Sequence, residues 1–156
     1  MDISASMENL LSLIETVFPI PGRFRQKLPA DVAELSRLLT SARGERESGY
    51  LNRPNMLSAY LRYFLPWNVF RLCRLFFLNV DFSGKPDNLN MLPVFRDGDA
   101  ITDLGSGPLT FPISLWIAFP EFHSLKLEFR CADKSAVILE AGKKREAGGN
   151  VGEIRF

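Results

Sequence analysis

Cysteine and histidine are scarce in this chain of 156 residues. Its two cysteines, Cys73 and Cys131, stand far apart with no CxxC spacing, so no disulfide scaffold, zinc site or redox pair is readable. His123 is the single histidine, which rules out a multi-histidine metal site. Long apolar runs are missing too. The most apolar stretch, Tyr60 to Val80, is interrupted by Arg62, Pro66, Arg71 and Arg74, all costly in lipid, and Phe111 to Phe119 is too short to span a bilayer. The N-terminus, with Asp2, Glu8 and Glu15, lacks the basic start of a secretory signal. A soluble, cytoplasmic protein is the expectation. No GxxxxGK[ST] string exists, so there is no P-loop, and Gly105-Ser106-Gly107 is not the spacing of a nucleophile elbow.

What is present is ordinary globular composition, 46% hydrophobic and 24% charged, enough for one domain. The net charge of +1 hides an uneven distribution. Residues 1–20 carry no base, whereas residues 21–75 hold ten bases against four acids. Residues 76–125 are acidic again. A basic segment of this kind suits either an RNA surface or simply the solvated faces of helices.

Periodicity predicts helices over Met7–Phe18, with Ser4 or Ser6 as cap, and from Pro29 towards Gly44, then a polar loop to Gly49. Helices over Pro54–Leu65 and Pro66–Leu78 follow, kinked or broken at Pro66. Their many aromatics read as core rather than as a platform for stacking bases. Residues 1–78 thus form a helical region, and 79–99, rich in Pro, Gly, Asn and Asp, a linker. Residues 100–145 change pattern. A strand at Ala100–Leu104, a turn at Gly105–Pro108 and a buried helix at Leu109–Phe119 lead to a strand at Leu125–Cys131 and a helix at Ser135–Arg145. This alternation implies a parallel sheet and an α/β class. Residues 146–156 read as an irregular tail.

The string that carries chemistry is Asp103-Leu104-Gly105-Ser106-Gly107, with Asp133 after the second strand. Glycines where a strand meets a helix let a ligand approach the backbone and direct free N–H groups at it. Asp133 is placed either to bind ribose hydroxyls or to cap the following helix. Asp103 is a charge at the end of an apolar strand, a costly place to leave unused. His123 reads as a surface-loop residue rather than a general base.

These residues resemble the cofactor-binding half of class I S-adenosylmethionine-dependent methyltransferases. The resemblance implies a Rossmann-like sheet, here its first half, with Asp103, Gly105, Ser106 and Gly107 on the methionine side of S-adenosylmethionine and Asp133 on the ribose. Leu109 stands where that family usually has a third glycine. The string Ala59 to Pro66 is similar to the helical extension of methyltransferase-like proteins linked to small-ribosomal-subunit RNA, which implies RNA as methyl acceptor. No Asn-Pro-Pro-Tyr string is present, catalytic residues are not identified, and only two strands are readable. The expectation is therefore a truncated or incomplete cofactor-binding part without turnover. An incomplete sheet would also expose Leu115, Trp116 and Phe119 and favour self-association. Two rivals remain: a non-catalytic RNA-binding or ribosome-assembly module, and a nicotinamide-dependent oxidoreductase fragment.

Overall fold

A computed structural model describes residues 3–77 and 95–148. Most of the expected linker and residues 149–156 lie outside the described residues. Helix α1 (Ile3–Val17) places Leu10 and Ile14 inward at helical spacing, and Pro19 follows its end. It begins earlier than periodicity suggested, so Ser4 and Ser6 lie within it rather than capping it. A short helix α2 (Gly22–Arg25), not foreseen, leads to α3 (Leu28–Leu39), with Pro29 in its first turn. Helix α3 stops five residues short of Gly44. There the Thr40 N–H bonds to the carbonyls of Ser36 and Arg37, and Arg43 Nε reaches the Leu39 carbonyl at 2.8 Å. One 3₁₀ turn, Arg43–Glu45, lies in the expected loop, and a second, Tyr50–Asn52, follows it.

Helix α4 (Pro54–Ala59) and helix α5 (Leu65–Phe77) are joined by a π-helical turn, Tyr60–Phe64. The turn closes with the Leu65 N–H on the Tyr60 carbonyl, a five-residue step. The kink expected at Pro66 takes this form. Proline has no N–H to donate and its ring crowds the carbonyl four residues back, and a wider turn ahead of it makes room.

The sheet has two strands, β1 (Ala100–Leu104) and β2 (Glu128–Ala132), parallel and paired from Ala100 with Glu128 to Leu104 with Ala132. Helix α6 (Thr110–Ala118) and a 3₁₀ turn, Pro120–Ser124, connect them, and α7 (Ala136–Gly148) follows β2. The class is mixed α/β. Strand β2 starts three residues later than expected, and α7 runs through Gly148, so residues 146–148 are helical rather than irregular.

One apolar cluster joins the two halves of the chain: Leu10 and Ile14 of α1, Leu61, and Leu65, Val69 and Cys73 of α5 meet Leu115, Phe119, Phe129 and Ala141. Each such aliphatic side chain contributes about 1.5–3 kcal/mol by leaving water. Leu115 and Phe119 are therefore buried, and the expected apolar patch at these residues is not there, because α1 and α5 pack against this region. Burial pushes the Cys73 thiol up to about 11. Ile101, Phe129 and Cys131 turn one face of the sheet into this core. Thr102, Leu104, Glu128 and Arg130 leave the other face exposed, with an Arg130–Glu128 ion pair on it. No described helix is long and apolar enough to cross a membrane.

Candidate functional site

The turn after β1 is built to bend. Gly105 and Gly107 have φ of +80° and +55°, and Leu109 is left-handed as well at +62°. A left-handed non-glycine costs roughly 1–2 kcal/mol. Here the leucine is 2% exposed, so burial of its side chain offsets that strain. Its conformation is one that glycine adopts without strain, at the position where the resembled family has one. Helix α7 comes close to this turn. A Cβ at Gly142 would lie 2.7 Å from Leu109 Cγ and 2.8 Å from the Pro108 carbonyl carbon.

The turn's polar groups are mostly committed to the end of β2. The Gly105 and Ser106 N–H groups donate to the Ala132 carbonyl at 2.7 and 3.1 Å, and the Ser106 hydroxyl donates to the same oxygen at 3.3 Å. The Gly107 N–H donates to Asp133 Oδ2 at 3.0 Å, and the Ser135 N–H to Asp133 Oδ1 at 2.8 Å. The free N–H groups expected here are thus not free, and Ser106 spends both donors on holding the turn. Asp133 thereby joins the turn to Ser135, the residue just before α7. A carboxylate has about four acceptor positions, so two N–H bonds leave capacity for a ligand's hydroxyls.

Asp103 is different. Its Oδ2 is buried and has no hydrogen-bond partner among the described residues. Burial first, and then the charge of Asp133, hold its carboxyl above the usual range. No side chain would crowd a ligand over Gly105, where nothing lies within 4 Å of a built Cβ.

Sequence reasoning missed two residues. Tyr60, read as a core aromatic, and Tyr50, given no role, stand close enough to Asp133 for its charge to act on both phenols. Burial is the main reason both hold their protons above the ordinary range. Proximity in sequence gives no hint of this, because Tyr60 lies in a helix before the linker. His123 is exposed, as expected. Its ring stacks on Trp116 with centroids 3.6 Å apart, and its Nε2 is 2.8 Å from the Trp116 carbonyl.

The basic segment is largely tied up. The Arg62 side chain is 7% exposed and binds Glu15 at 2.9 Å, the Ser58 hydroxyl and the Phe18 carbonyl. It is a packing residue and not part of an RNA surface. Arg25, Arg37 and Arg53 are likewise paired with carboxylates. What remains exposed on one side of the long helical segment is Tyr63, Trp67, Arg71, Arg74 and Leu75. The Arg71 guanidinium lies 4.8 Å from the Trp67 ring centre.

No group of three or more metal-ligating side chains occurs among the described residues. The site defines a strand–turn–helix unit whose turn is locked to the end of a parallel neighbour strand. No family model, curated protein or solved structure matches the chain.

Proposed function

We propose that the turn binds S-adenosylmethionine, as the first half of a Rossmann-like cofactor domain of the class I methyltransferase type. The observation that carries this reading is the use of the turn's N–H groups within the chain. A nicotinamide dinucleotide needs free N–H donors for its pyrophosphate. Here those donors are occupied, and the two carboxylates of Asp103 and Asp133 would repel a phosphate. A ligand with hydroxyls, an ammonium group and a sulfonium charge, and no phosphate, suits the same groups. Asp133 has acceptor capacity for ribose hydroxyls, and Asp103 offers its orphaned oxygen to a donor on the methionine side. Gly105, Ser106 and Gly107 shape the floor. S-adenosylmethionine would supply the electrophilic methyl group, while the protein's part is to orient the ligand.

RNA is the proposed acceptor, carried by the exposed Tyr63, Trp67, Arg71 and Arg74. No acidic residue occurs from Pro54 to Phe77. Aromatic faces and guanidinium groups are the usual means of holding a single strand. The rival, an RNA-binding module without turnover, uses the same stripe and differs in lacking cofactor affinity.

Thermal melting with ligands tests the cofactor reading. S-adenosylhomocysteine at about 100 times its Kd should add about 2.7 kcal/mol of stability, and NAD none. Protection by NAD alone would favour the oxidoreductase rival. Protection by neither, with salt-sensitive RNA binding, would favour the non-catalytic one.

A further inference from the structure

We infer that the cleft between the end of α1 and helices α2, α3 and α4 binds a small monocarboxylic acid with an apolar body, its carboxylate received by Arg62 and Lys27. The cleft shares no lining residue with the turn after β1, so the inference stands apart from the cofactor reading.

The cleft holds about 760 Å³, within the range of about 300–1,000 Å³ usual for small-molecule sites. Phe18, Phe24, Leu28, Leu57 and Leu61 supply apolar walls. Pro19 and Pro21 lie in the stretch that carries one wall, and their fixed φ limits how far it can fold inward. Phe24 is 48% exposed at the cleft. An occupant with an apolar body takes more of that ring out of water, which favours binding.

The polar groups of the lining select the other end of the occupant. Arg62 lines the cleft with a side chain only 7% exposed. A guanidinium has five N–H groups. Three of them serve Glu15, the Ser58 hydroxyl and the Phe18 carbonyl, which leaves two without an acceptor among the described residues. Lys27 stands one helical turn before Asp31, yet makes no ion pair among the described residues. Asp31, an acid in the lining, is instead held through Oδ1 by the Asn55 amide at 2.8 Å. The unmet polar groups on Arg62 and Lys27 are thus donors, and a carboxylate is the acceptor that a guanidinium and an ammonium hold best. Charge points the same way. In this cluster three cations, Arg25, Arg62 and Lys27, stand against two carboxylates, Glu15 and Asp31.

Titration calorimetry on the full chain tests this, with octanoate as probe and 1-octanol as its uncharged counterpart. Octanoate should bind as one molecule per chain, about tenfold more tightly than octanol. Lys27→Gln should weaken octanoate about tenfold, the scale of one hydrogen bond to a charged group, and leave octanol unchanged. Phe24→Ala should weaken both probes. Absence of octanoate binding, equal affinity for the two probes, or an octanoate affinity that Lys27→Gln leaves unchanged would each overturn the inference. Should the variants fail to fold, NMR of wild-type protein labelled in leucine methyl groups gives the answer. On adding octanoate, the Leu28, Leu57 and Leu61 signals should move, and that of Leu104, 79% exposed on the sheet, should not. Unmoved signals at the three cleft leucines would overturn the inference. Neither experiment uses an adenosyl ligand, so failure of the cofactor reading leaves both results intact.

Discussion

Replacing Gly142 by alanine should destabilise the protein, although glycine-to-alanine changes inside helices normally do the opposite. Helix propensity alone favours alanine by about 1 kcal/mol. The added methyl group, however, would sit 2.7 Å from Leu109 Cγ and 2.8 and 3.0 Å from the carbonyl carbon and oxygen of Pro108. Carbon atoms normally rest about 3.5–4.0 Å apart. Helix α7 and the turn must therefore separate by roughly 1 Å. Two of the three obstructing atoms are backbone, and Leu109 is already held in a left-handed conformation, so neither side yields easily. Overpacking of this kind costs about 1–3 kcal/mol. Set against the propensity gain, the net loss should be about 0–2 kcal/mol, centred near about 1 kcal/mol, which is roughly 2–4 °C in melting temperature for a chain of this size. Urea unfolding followed by circular dichroism measures it. Gly44→Ala is the control, since nothing lies within 4 Å of its built Cβ, and it should stay within about 0.5 kcal/mol of wild type. A Gly142→Ala protein more stable than wild type by about 1 kcal/mol, the gain that propensity alone gives, would refute the close approach of α7 to the turn.

Two further predictions concern charge. The Asp103 carboxyl is raised in the folded state, mainly by burial, so ionising it opposes folding as pH rises above the unfolded value of about 3.9. Asp103→Asn should therefore melt higher than wild type at pH 7, because it removes the buried charge. The advantage should vanish below about pH 4, where wild type is protonated in both states; a difference constant from pH 3 to 8 would contradict the cause given. Arg62→Ala should cost about 2 kcal/mol, more than Glu15→Gln, because Arg62 also holds Ser58 and the Phe18 carbonyl while Glu15 is 44% exposed. Equal losses in the two variants, read from denaturation midpoints, would mean that the ion pair alone matters.

The parts of the fold that were legible are those fixed by local pattern. Ala100–Leu104 was readable as a strand to the residue, since a short apolar run ends at glycines that stop it. The glycines themselves predicted a tight turn, and the structure bends there with Gly105 and Gly107 at positive φ. Their N–H groups were misread, because their partners are the carbonyl of Ala132 and the carboxylate of Asp133, more than twenty residues away. Asp133 carried two readings at once, and the structure shows its carboxylate tying Gly107 to Ser135, just before α7, with acceptor positions to spare. Arg62 looked like any exposed helical base. Its burial depends on α1 crossing the helix that carries it, and composition cannot report that. Tyr60 was invisible as a site residue for the same reason. Helical spacing marks it as apolar, and only tertiary packing brings its hydroxyl to Gly107.

The π-helical turn ahead of Pro66 sets how this region can change length over evolution. Such a turn accommodates one residue more than regular helix would, and each residue of an α-helix turns the chain by about 100°. Losing a single residue between Tyr60 and Phe64 would convert the turn to regular helix and keep the phase on either side, whereas losing one elsewhere in 54–77 would rotate everything on one side by that angle. Leu57 and Leu61 would in the second case leave the faces shared with Leu65 and Val69. Single deletions should therefore be found within 60–64 and across the exposed turns at 43–49, and be rare in the regular helix on either side of the π-turn.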